Sequence, residues 1–133
     1  MNKIHHIGIV SKNLETILDT FNLKESQITE TIDDKIQNNL ICIIKDKTWL
    51  ELIIPKNQKS TVYNFSIKNN VGIHHIGWEC RDIIKEEQKI DSDFGCIKLG
   101  KYSLNIKSFG GKISTLFFVK NNMLTELIKI DNE

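Results

Sequence analysis

The five residues Ile4-His5-His6-Ile7-Gly8 return unchanged as Ile73-His74-His75-Ile76-Gly77. A second echo follows each copy: Leu50-Glu51-Leu52-Ile53 after the first, and Thr125-Glu126-Leu127-Ile128 after the second. In a chain of 133 residues this reads as two copies of one module. Each copy brings a histidine near its start and a glutamate near its end. Whatever fold the chain adopts has to be one that a short unit can build twice.

The local signals agree with that reading. A strand over 3–10 leads to a short amphipathic helix, with Asn13 as N-cap and Leu14, Ile17, Leu18 and Phe21 at i, i+3, i+4 and i+7. Strands are expected over 27–33, 39–45 and 48–54, the last ended by Pro55, the only proline. Residues 56–72 are polar and then Asn-rich, as a linker would be. The second half repeats the order. It has a strand at 73–80, a helix capped by Asp82 with Ile83, Ile84 and Ile90 as its apolar positions, and strands at 94–99, 112–119 and 123–130. Gly110-Gly111 and Asn121-Asn122 mark turns. The stretch 100–108 fits neither period. Both halves read β-α-β-β-β, the first over about 1–57 and the second over about 71–131, within one domain of residues 1–133.

Strand alternation sorts the repeated histidines. His5 shares a face with Ile7 and Ile9, which should pack against the helix, while His6, Gly8 and Val10 share the other. The same split groups His75 with Gly77 and Glu79. In the 48–54 strand, Leu50, Leu52 and Ile54 form the apolar face and Glu51 points the opposite way. Glu126 has Leu124 and Ile128 as same-face neighbours, a costly setting for a carboxylate unless a positive charge pairs with it. His6, Glu51, His75 and Glu126 together offer two imidazole nitrogens and two carboxylate oxygens. That mixed set suits Zn²⁺, Co²⁺, Ni²⁺, Mn²⁺ or Fe²⁺ better than Ca²⁺, and leaves positions open for a chelating substrate. His5 and His74 either face the helix side or hold a ligand imidazole in place by a hydrogen bond.

Composition removes other classes. Charged residues are 26% of the chain but the net charge is only +1, with lysines and acids interspersed, so no footprint for nucleic acid is present. No apolar run reaches the roughly 18–20 residues that cross a bilayer, and a histidine pair by position 5 argues against a secretory leader. Cys42, Cys80 and Cys96 are an odd number without C-x-x-C spacing, which excludes a disulfide framework and a zinc knuckle and points to a reducing, cytoplasmic setting.

Taken together, Ile-His-His-Ile-Gly-Ile-Val at the start, Leu-Glu-Leu-Ile-Ile-Pro at 50–55, Gly-Ile-His-His-Ile-Gly-Trp-Glu at 72–79 and Leu-Thr-Glu-Leu-Ile at 124–128 resemble the vicinal-oxygen-chelate superfamily. That group includes glyoxalase I, methylmalonyl-CoA epimerase, extradiol dioxygenases and antibiotic-resistance proteins, and the resemblance is strongest to its epimerase-like branch. It implies an α+β, glyoxalase-like fold, in which two tandem βαβββ modules curve into a half-open barrel. It also implies a divalent metal on His6, Glu51, His75 and Glu126, with Glu126 doubling as catalytic base. The activity implied is that of an isomerase or epimerase acting on an α-acidic carbonyl substrate through a metal-stabilised enediolate. A glyoxalase I-type lactoylglutathione lyase and a non-enzymatic ligand-binding module are the alternatives. The partners expected are a small-molecule substrate and neither nucleic acid nor membrane, with a homodimer left open.

The sequence departs from the epimerase pattern in one place that bears on chemistry. The second catalytic glutamate of that branch falls on Ile36, with Asp34 two residues away and Glu79 as a substitute. The Asp-Pro-Asp-Gly turn common in glyoxalase I is replaced by Lys120-Asn121-Asn122-Met123.

Overall fold

The computed structural model describes residues 3–131. Its strands and α-helices are β1 (Lys3–Ser11), α1 (Leu14–Thr20), β2 (Ile28–Asp34), β3 (Asn39–Lys45), β4 (Trp49–Pro55), α2 (Tyr63–Lys68), β5 (Val71–Glu79), α3 (Ile83–Asp91), β6 (Cys96–Ile106), β7 (Gly111–Lys120) and β8 (Met123–Ile130). Short 3₁₀ turns occupy Glu25–Gln27 and Lys107–Phe109. Apart from α2, the order is β-α-β-β-β twice over. The chain packs as two compact units, one of residues 7–74 and one that joins residues 3–6 to 75–131.

In the 7–74 unit the strand order is β2-β3-β4-β1. Helix α1 starts where Asn13 takes up extended backbone and its Oδ1 accepts from Thr16 N at 2.9 Å, satisfying one of the donors that a helix start leaves open. Its buried Ile17 packs with Ile9, Cys42, Ile44, Leu52 and Ile54. Leu52 and Ile54 alternate along β4, which is the expected apolar face. The opposite face carries Ile53, which packs with Val10 and Val62.

The supposed linker is more ordered than its composition suggests. Thr61 and Ser60 tie it to the β2–β3 turn, through Thr61 N to Gln37 O at 3.1 Å and Ser60 Oγ to Asn39 Oδ1 at 2.5 Å. α2 then seats Phe65 against the Val10–Val62 cluster. Tyr-Asn-Phe-Ser-Ile-Lys alternates polar with apolar residues, so it hid a helix of under two turns.

In the other unit the order is β1-β5-β8-β7-β6, with β5 and β8 parallel and the rest of β6–β8 antiparallel. Asp82 caps α3 by accepting from Lys85 N at 3.0 Å. Ile90 enters the core with Cys80, Leu116 and Leu127, whereas Ile84 is left exposed. β7 and β8 are joined by Asn121 and Asn122 at φ 52° and 61°, the doubly left-handed two-residue turn that matches strand twist.

The unreadable stretch 100–108 completes β6, which runs to Ile106 rather than ending at 99, and then opens the 3₁₀ turn at Lys107. Two features hid it. β6 lies at the end of the strand order and buries little, and an irregularity between Lys98 and Gly100 resets its alternation midway. Among the described residues no helix is long and apolar enough to cross a membrane.

Candidate metal centre

β1, β5 and β8 lie side by side in the 3–6/75–131 unit, and each contributes one side chain to a single point: His6, His75 and Glu126. Glu126 pairs in register with Gly77. That glycine leaves room for an imidazole. A Cβ at 77 would lie 2.5 Å from His6 Nδ1 and 2.6 Å from His6 Nε2, so the His6 ring fills the space a side chain would have taken.

The facing atoms are close. His6 Nε2 is 3.1 Å from His75 Nε2 and 2.6 Å from Glu126 Oε1, and His75 Nε2 is 3.6 Å from the same oxygen. All three residues are buried, Glu126 at 4% exposure. Despite the short separation, Glu126 Oε1 has no hydrogen bond aligned on it among the described residues. Burial alone would push the Glu126 carboxyl up, but the charges of His6 and His75 outweigh it and hold the group below the usual carboxylate range. The carboxylate is therefore ionised in a place where an uncompensated charge is expensive.

The three atoms fit a bound cation. Ligands about 2.0–2.1 Å from one ion stand roughly 2.8–3.4 Å from each other in octahedral or tetrahedral geometry, and the observed spacings of 2.6, 3.1 and 3.6 Å bracket that range. Two imidazole nitrogens and a carboxylate oxygen are also the right chemistry for a borderline divalent metal. Glu51, the fourth residue the sequence offers, is buried in β4 opposite Ile43, in the 7–74 unit.

The remaining histidines separate. His74 meets Phe65 edge-on at 5.0 Å. His5 Nδ1 is 3.0 Å from His6 Nδ1, and the His5 ring meets Phe109 edge-on at 4.5 Å. The two acids near the epimerase position are also accounted for. Asp34, 2% exposed, uses Oδ1 to accept from Ile36 N and Gln37 N, and Oδ2 to accept from Gln37 Nε2. It is a turn-former. Ile36 is exposed, and Glu79 stands 4.0 Å from Lys3.

Several neighbours of the triad escape a reading of the sequence. Phe117 pairs in register with Glu126 and meets His75 edge-on at 5.2 Å, and Tyr102 lies 6.0 Å from Phe117. Two residues back on the same face of β7, the Thr115 hydroxyl is buried with no hydrogen bond among the described residues. The alternation Ile113, Thr115, Phe117 was available as a signal, but nothing local says which strand it faces.

Comparison with known proteins agrees with this architecture. Residues 5–99 match the model of the Glyoxalase/Bleomycin resistance protein/Dioxygenase superfamily, and the chain belongs to that superfamily. None of the curated proteins matches it. Among solved structures, a hypothetical protein from Bacillus halodurans C-125 is similar at 21% identity and a TM-score of 0.78, covering 99% of this chain and 96% of that one. A variant of Streptomyces coelicolor methylmalonyl-CoA epimerase in complex with 2-nitronate-propionyl-CoA is similar at 20% identity and a TM-score of 0.78, covering 98% and 99%. The Mycobacterium tuberculosis methylmalonyl-CoA epimerase is similar at 14% identity and a TM-score of 0.74, covering 95% and 86%. At these identities the likeness shows the fold, which is the glyoxalase-like one.

Proposed function

We propose that this chain is a divalent-metal-dependent isomerase of the epimerase-like kind, acting on the acidic α-carbon of an acyl thioester or related carbonyl compound. His6, His75 and Glu126 hold the metal. The observation that carries this reading is the convergence of three buried ligand atoms on one point, with Glu126 Oε1 unbonded there. The epimerase likeness of the fold supports the substrate class.

A divalent ion in this site supplies Lewis acidity toward a substrate carbonyl oxygen. The chain's own residues do the rest. His6 and His75 present neutral Nε2 lone pairs and leave the carboxylate as the one charged donor of the three. The Glu126 carboxylate, a ligand that doubles as base, accepts the α-proton. Gly77 and Phe117, its neighbours in register, leave no proton donor beside it in the strand pairing. The position of the second base in the epimerase pattern carries Ile36, which cannot move a proton, and Asp34 is committed to its turn. Proton return to the other face then depends on solvent, so α-proton exchange outruns inversion.

The test is made in D₂O with Co²⁺-loaded protein and a panel of 2-substituted acyl-CoA thioesters and α-hydroxycarbonyl compounds, read by mass and by chiral analysis. Deuterium should enter the α-position faster than the enantiomers interconvert. Glu126→Gln should abolish exchange, because an amide takes no proton at neutral pH, and Ile36→Glu should speed inversion. A protein that binds members of the panel tightly while exchanging none of their α-protons would be a binding module and not an isomerase.

A further inference from the structure

We propose that His5 is a positioning residue for His6: its Nδ1 accepts the proton that His6 carries on Nδ1 when His6 offers Nε2 to the metal. This rests on His6 being a ligand, as proposed above, and adds a residue to which the ligand set assigns no role.

The argument is a proton count. A neutral imidazole has one N–H and one lone pair, on different nitrogens. His6 Nε2 is the nitrogen that faces His75 Nε2 at 3.1 Å and Glu126 Oε1 at 2.6 Å. To give a lone pair there, His6 must keep its proton on Nδ1. That nitrogen lies 3.0 Å from His5 Nδ1. Two N–H groups cannot face each other at this distance, so His5 Nδ1 is the lone-pair nitrogen and the His5 proton sits on Nε2. Only this placement of the two protons satisfies both the metal and the pair.

Packing holds the two rings in that relation. They cross at 86° with centroids 5.2 Å apart, and Phe109 stacks on His6 at 22° while meeting His5 edge-on. His5 is 8% exposed, His6 0% and Phe109 3%. Ligand histidines commonly give their other N–H to a carboxylate or a backbone carbonyl, which fixes the tautomer and raises basicity. A carboxylate at position 5 would place a second negative charge against a cluster that already buries that of Glu126. An imidazole accepts the proton without adding charge. The doubled histidine of the N-terminal word therefore has two jobs, one for each ring.

Three variants test it with Co²⁺ alone as the probe, read by its visible absorption, by competition for affinity and by thermal melting. His5→Phe keeps a buried ring and removes the acceptor. His5→Asn keeps an acceptor at the Nδ1 position. His6→Ala removes the ligand. Expected are a Co²⁺ affinity about 10- to 100-fold weaker and an altered spectrum in His5→Phe, with wild-type behaviour largely restored in His5→Asn even if both variants melt lower. In Zn²⁺-loaded wild-type protein, nitrogen NMR should show His6 protonated on Nδ1 and His5 on Nε2. A His5→Phe protein with unchanged affinity and spectrum, or His6 protonated on Nε2, overturns the role of His5 alone. If wild type and His6→Ala take up Co²⁺ equally, or neither does, the ligand assignment itself fails and this inference falls with it.

Discussion

A methyl group at position 77 would collide with the His6 ring, so the centre tolerates no side chain at Gly77 without the ring shifting. His6 is fully buried and cannot swing aside without leaving the triad. Gly77→Ala should cost roughly 1–3 kcal/mol, the usual range for overpacking, and weaken Zn²⁺ uptake at least about tenfold if ligand alignment behaves as other supporting contacts do. Urea unfolding with a Zn²⁺ titration checks both, and wild-type values in both would mean that the ring is not locked there. Cys80 gives a second expectation at this scale. Burial first, then the charge of Glu86, pushes its thiol up to about 11. An unfolded thiol ionises near 9, so between these values the unfolded chain holds fewer protons than the folded one. Stability is complete below pH 9 and declines as pH rises through about 11. The urea midpoint followed from pH 8 to 11 should fall, and fall less in Cys80→Ala measured against its own value at pH 8.

At the scale of elements, short pieces depend on their ends. α1 has seven residues, and Asn13 bonds both Thr16 N and Thr16 Oγ1 at its start. Asn13→Ala should cost about 1 kcal/mol, seen as a lower melting temperature with metal content unchanged. Asp34→Ala removes the three bonds that this buried carboxylate accepts from the β2–β3 turn and should destabilise by about 1–3 kcal/mol, again without touching Zn²⁺ uptake or α-proton exchange. A loss of inversion without a loss of stability would instead make Asp34 the missing base. The elements most legible beforehand were those with both a cap and a period, as α1 has in Asn13 and Ile17. The least legible were α2, whose six residues read as alternation, and β6, where a bulge breaks the only pattern an edge strand has.

For the molecule as a whole, the repeat in the sequence carried the architecture, because a duplicated word fixes where each module begins. It also marked His6, His75 and Glu126 before any contact was visible. Their setting was hidden for a physical reason. Gly77 beside His6, Phe109 over both rings and the buried Thr115 hydroxyl are relations between strands far apart in sequence, and periodicity reports only which side of its own strand a residue occupies. The unit that carries the three ligand atoms is discontinuous, drawing residues 3–6 and 75–131 around an uninterrupted stretch of 7–74. On the ribosome, His6 is made before the other two ligands and waits longest. The 7–74 stretch can close on its own contacts as it emerges, while His75 and then Glu126 have still to be synthesised. A chain interrupted anywhere between β5 and β8 holds two of the three atoms at most. Metal capture thus waits on the synthesis of β8: a chain that stops short of Glu126 cannot assemble the three ligands, and a chain that has trapped the ion has been read through that strand.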